Sequence, residues 1–150
     1  MPDDLFLAIQ EAIETRCGEI DYLAGLPVVL EDKGDVDAMT RQIIEQQGLL
    51  IYIATPEATD CNANIEGLYS FKISPVVQIY EVPEINRRDS GTQKPAGMVA
   101  LYVGAAFSQY TPPDLGMISV DRDRGLRSIR QGKMIIWEVA LETHGGVKLT

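Results

Sequence analysis

Few side chains in this sequence could do chemistry, and their spacing limits what each could do. The single histidine, His144, precedes Gly145-Gly146. A catalytic or metal-binding imidazole is normally held by a partner on its second ring nitrogen. The segment HGGVKLT reads as a terminal tail that supplies no such partner. Cys17 and Cys61 lie far apart and lack CxxC or Cys/His spacing, so a zinc site is not expected. They read as free thiols of a reducing compartment. Asp35/Asp37 and Asp121/Asp123 are each spaced two apart, which in a strand puts both carboxylates on one face, where a hard cation could bind. Arg122 and Arg124 interleave with the second pair and oppose a cation. The first pair suits the cap and first turn of a helix. Glu81 and Glu84 lie either side of Val82-Pro83, and one of them could serve as a general acid or base. Neither has a second catalytic partner in view, so both read as surface acids. GxSxG, HExxH, GxxxxGK[ST] and GxGxxG are absent from the sequence, and no cofactor or metal is expected.

The bases cluster more tightly than the acids. Arg87, Arg88 and Lys94 fall within EVPEINRRDSGTQK, and Arg122, Arg124, Arg127, Arg130 and Lys133 follow one another across DRDRGLRSIRQGK. A single-stranded nucleic-acid site would interleave aromatics for base stacking, and none occurs between Met117 and Met134. Arginine also forms bidentate pairs with carboxylates. The plain reading is a solvated hairpin with local ion pairs; the functional one is a contact between subunits.

Charge distribution supports that contact. The net charge is −9, yet residues 1–66 carry fourteen acids against three bases, and residues 67–150 eight acids against ten bases. The acidic half argues against sequence-independent duplex DNA binding, which requires a basic face. It permits head-to-tail attraction between copies. The length of 150 residues fits one domain with a core of its own. No apolar run approaches the roughly 20 residues needed to span a bilayer. MPDDLFLAIQEAIE carries acids where a signal peptide would carry positive charge.

The elements that must position these groups follow from periodicity. Leu5, Ala8, Ile9, Ala12 and Ile13 recur at helical spacing behind Pro2 and Asp3-Asp4. LPVVL reads as a short strand, and Val36, Met39, Ile43 and Ile44 mark a helix closed by Gly48. LLIYIATP is a buried strand, and EATDCNANIEG reads as a polar loop. Tyr69, Phe71 and Ile73 alternate with Ser70, Lys72 and Ser74 in a strand interrupted by Pro75, which marks a bulge, a break or an edge. Val76–Val82 resumes the strand and is read as a sheet edge running into the Arg87/Arg88 loop. PAGMVALYVGAAFSQY is a helix with small residues, MISV a short strand, and KMIIWEVALET a last strand with Trp137 in the core. The order α-β-α-β-β-α-β-β predicts a single α+β domain over 1–150, with a mainly antiparallel mixed sheet and helices packed on one face.

This order, with the charged loop EVPEINRRDSGTQK, the small-residue helix after it and the last strand GKMIIWEVALET, resembles the tail terminator and tail completion proteins of long-tailed bacteriophages and prophages. The likeness is one of pattern and size across most of the chain. It implies a non-catalytic subunit that forms a ring, commonly a hexamer. Such a ring caps the tail tube and meets the head-side connector, assembling in the bacterial host cytoplasm and staying in the virion. On this chain the resemblance places subunit contacts at Pro75, Val76, Gln78, Tyr80, Glu81, Arg87, Arg88, Arg122, Arg124, Arg127 and Arg130, with no membrane and no sequence-specific nucleic acid as partner. Two other readings compete with it. One is a small cytoplasmic enzyme gathering carboxylates near Glu81 and Glu84 with Asp121 or His144. The other is an acidic regulatory module that attracts a basic partner.

Overall fold

The computed structural model describes residues 3–64, 66–89 and 91–149. Pro2, read as part of the first helix start, lies outside them. The described residues form an α+β fold with a mixed sheet, as expected, but with four helices and eight strands where the sequence order predicts three and five.

One long antiparallel pair organises the sheet. Strands β4 (Leu68–Ser74) and β5 (Val76–Glu81) lie end to end along β8 (Met134–Lys148). Their register continues from Leu68↔Lys148 to Ile73↔Thr143 and from Val76↔Ala140 to Glu81↔Ile135. Pro75 sits at the junction and has no N–H to donate, but its carbonyl still accepts the Leu141 N–H at 2.8 Å. It interrupts the ladder without ending it. Strand β2 (Leu49–Ile53) pairs with β5, and β3 (Glu57–Ala63) pairs with β4. Strand β1 (Val28–Leu30) adds in parallel to β2. Strands β6 (Ser119–Val120) and β7 (Leu126–Gln131) pair antiparallel with β8.

Three expectations change at this point. Val76–Val82 is not an edge, because β2 and β8 flank β5 on its two sides. Alternating burial fits an edge strand and a central one equally well; the partners decide. The segment read as a polar loop is largely β3, exposed at every residue. It shows no alternation, because neither of its faces is covered. The segment read as a tail belongs to β8 over His144–Lys148, where it pairs with β4, and its Thr150 lies outside the described residues. Its two glycines, poor strand formers in isolation, admit close neighbours. A Cβ on Gly145 would lie 2.8 Å from the Leu5 side chain, and one on Gly146 2.5 Å from the Tyr69 carbonyl oxygen.

Helices α1 (Leu5–Glu19) and α4 (Ala96–Ala106) form the main layer over the core. The Asp4 carboxylate caps α1 by accepting the Leu7 N–H at 3.0 Å. Ile9, Ile13 and Cys17 of α1, with Val99, Ala100 and Val103 of α4, bury against Ile51, Ile53, Val77, Ile79, Val139 and Leu141. Each fully buried aliphatic side chain contributes about 1.5–3 kcal/mol. Exposed ion pairs contribute about 0–1 kcal/mol each, so this cluster dominates stability. Helix α2 (Val36–Gln47) ends at Gly48 in the left-handed conformation. It packs against β1, β2 and the short α3 (Pro83–Asn86) on the face of Val29 and Leu50, which turn away from the main core, so the helices do not all lie on one face of the sheet as expected. Among the described residues no helix is long and apolar enough to cross a membrane.

Candidate functional site

Of the residues singled out from sequence, Gln78, Tyr80 and Arg127 fall in one polar assembly and Glu81 and Arg87 in a second. The first lies on the sheet face opposite α1 and α4. Cross-strand neighbours share a face, so the register puts Tyr52, Gln78, Glu138 and Arg127 in one row across β2, β5, β8 and β7. The Tyr80 hydroxyl donates to Gln78 Oε1 at 2.6 Å, and Gln78 Nε2 donates to Glu138 Oε1 at 3.2 Å. Arg127 grips Glu138 Oε2 through Nε at 2.9 Å and Nη2 at 2.8 Å. The Tyr52 and Tyr80 rings meet edge to face at 5.9 Å. Burial, followed by the Glu31 carboxylate, pushes the Tyr52 hydroxyl up to about 12. Burial and then Glu138 raise that of Tyr80. Both phenols therefore stay neutral at physiological pH. Val76, Gln78, Arg124 and Arg127 line a shallow hollow of about 200 Å³ with Thr55 and Glu57. Tyr80, Gln78, Glu138 and Arg127 are thus joined in one hydrogen-bonded row that shapes a surface.

The Arg127–Glu138 pair is exposed on the arginine side. Replacing Arg127 with alanine is expected to cost no more than about 1 kcal/mol in chemical denaturation. A loss of several times that would mean the row is a structural keystone.

The second assembly surrounds Glu81 on the helical side. Glu81 is 1% exposed and Asn86 fully buried. Asn86 Nδ2 donates to Glu81 Oε2 at 2.6 Å and to the Lys94 carbonyl at 2.9 Å. Thr92 Oγ1 donates to Asn86 Oδ1. Arg87 Nε reaches Glu81 Oε2 at 3.2 Å, and the Ala96 N–H, in the first turn of α4, reaches Oε1 at 3.1 Å. Burial pushes the Glu81 carboxyl up. The hydrogen bonds from Arg87, Asn86 and Ala96 outweigh it and hold the group below its ordinary value. This assembly ties the 82–95 connection to the start of α4. The surface-acid reading of Glu81 is therefore corrected: its position in β5 alternates with Val77 and Ile79 and points into the core.

The remaining candidates scatter. Pro75 is buried in the sheet. Glu84 is exposed on α3 and lies 3.8 Å from Lys133. Arg88, Arg122 and Arg124 are exposed, and Arg130 projects from β7 on the side opposite Arg127. Asp121 is buried, and its Oδ1 accepts the backbone N–H groups of Asp123 and Arg124 at 3.0 and 3.3 Å, closing a turn. Among the described residues no group of three potential metal ligands converges. His144 is exposed on β8 and shares a hollow with Asp60, Cys61 and Lys72. Among the described residues no hydrogen bond joins Cys61 to His144, the contact a thiol nucleophile and its base require.

Sequence reading missed two features. Strand β3 is a fully exposed edge. Helix α4 leaves Met98, Leu101 and Tyr102 exposed at 43%, 57% and 38%. The signal for the second was present: no charged residue occurs from Ala96 to Tyr110, so the helix is apolar on its outer side as well. In comparisons with known proteins, the chain matches no family model and no curated sequence.

Proposed function

We propose that this chain is a non-catalytic assembly subunit of the tail-terminator kind, forming a ring that caps a phage or prophage tail tube and presents a surface to the head-side connector. One observation carries the reading. The sheet keeps open edges on both sides: β3 is exposed throughout and β7 at every residue except Leu126, which is half-buried. Unpaired edge strands are templates for association, and chains that stay monomeric generally shorten, cover or bend them. Acting in a bacterial host cytoplasm during assembly, and then in the virion, follows from the same reading. Its direct partners are other copies of itself, the tail tube and the connector.

Negative-stain imaging of the purified protein, with light scattering across protein concentration and salt, tests this. The expected result is a closed ring with a central hole. Monodisperse monomers under every condition overturn the self-assembling reading.

A further inference from the structure

The two open edges differ in charge and in what lies beside them. The β7 side carries Arg122, Arg130 and Lys133, all exposed, while Arg124 reaches the hollow it shares with Glu57. The β3 side carries Glu57 and Asp60, with Asp3 close by at the start of α1. Among the described residues, Arg122, Arg124, Arg130, Glu57, Asp60 and Asp3 form no ion pair within the chain. The apolar surfaces follow the same division. On the helical side of β7, Gly104 of α4 approaches Leu126 and Gly97 approaches Trp137. Helical spacing then puts exposed Leu101 on the flank of α4 nearest β7, with Met98, Tyr102 and Ala105 beside it. On the helical side of β3 lies an apolar groove of about 420 Å³, lined by Leu5, Phe6, Ala58, Phe71, Ile73 and Val147.

Resting on the self-assembly reading above, we propose that copies meet head to tail: the basic β7 edge and the α4 stripe of one copy dock on the acidic β3 edge and the adjoining apolar groove of the next. The occupant of the exposed α4 stripe is thus a second copy of this chain. Strand direction permits the match. With both helical layers on one side, β3 of the incoming copy runs antiparallel to β7, because β7 opposes β8 and β3 opposes β4, itself antiparallel to β8. A bulge between Thr59 and Asn62, with Asp60 at φ 53°, bends β3. Main-chain pairing is therefore confined to the straight run Glu57–Thr59, and charge and apolar contact supply the rest. The two edges stand at opposite corners of the sheet, since β7 pairs with the first half of β8 and β3 flanks the strand that pairs with the second. A contact between unlike surfaces propagates, closing into a ring or extending into a filament.

A charge swap tests the contact by analytical ultracentrifugation. Arg130→Glu with Lys133→Glu in one chain, and Asp3→Lys with Glu57→Lys in another, should each weaken self-association about tenfold or more. An equimolar mixture of the two should restore it, because each chain then offers a surface complementary to the other. Leu101→Asp should abolish association while leaving the thermal midpoint of the monomer unchanged, since this side chain is exposed. Wild-type association should also weaken as salt rises. If the wild-type chain associates but ignores these reversals, or the mixture stays apart, the head-to-tail contact is overturned and the assembly reading stands. If the wild-type chain is monomeric at its highest soluble concentration, both fall.

Discussion

Glu81→Ala is expected to destabilise the fold by about 3 kcal/mol, although the chain's ion pairs are otherwise worth little. The carboxylate is buried and accepts from Asn86, Arg87 and the Ala96 N–H. Removing it leaves Asn86 with an unpaired donor in the core and the start of α4 with an orphan N–H. Arg87 loses less, because its side chain is 54% exposed and water replaces the carboxylate. Glu81→Gln keeps one acceptor oxygen and should cost about half as much.

Acidity provides an independent check on the same group. Glu81 is held below the ordinary glutamate value in the folded chain. Its stabilisation is therefore complete above the unfolded value and is lost as pH falls through the folded one. The stability gap between wild type and Glu81→Gln should narrow below about pH 4.5 and be full at neutrality. Urea denaturation at a series of pH values measures it, and a gap unchanged from neutral to strongly acidic pH would sink the assignment.

Gly48→Ala should cost about 3 kcal/mol or more, combining left-handed strain with overpacking. Gly48 closes α2 at φ 73°. A Cβ there would strike the Asn86 backbone and lie 2.8 Å from the Ile85 Cβ. Neither can retreat, because Val82 donates its N–H to the Gly48 carbonyl at 2.8 Å and Asn86 is locked by Glu81 and Thr92. Gly25→Ala is the control. Gly25 has φ 82°, but nothing lies within 4 Å of the added carbon, so only the backbone strain of about 1–2 kcal/mol remains. Equal losses at the two positions would show that packing around Asn86 plays no part.

Much of the fold was legible in the sequence. Helix α2 ends at Gly48 as expected, and the alternation of Tyr69, Phe71 and Ile73 and the apolar runs of β2 and β8 marked those strands. Each of these signals is local: a cap, a period of two or a helical stripe reports how one segment meets a covered surface. The row Gln78, Glu138 and Arg127 is legible only as isolated polar residues, because sixty positions separate Gln78 from Glu138.

By itself, then, the sequence determined the α+β class, the apolar face of α1, the acidic first half and the basic late stretch. Composition and periodicity are properties of neighbouring residues and need no partner to be read. Only the tertiary structure decided which strands stand at the edges. Strand β5 looked open and is central; β3 looked like a loop and is an edge; the HGG segment looked like a tail and completes β8. Pairing between distant strands settles edges, because the backbone groups that make or lack a neighbour are the same in every residue and leave no mark on side-chain pattern. The charge asymmetry seen along the chain became a difference between two sides of one sheet only once those pairings brought β3 and β7 to its opposite corners.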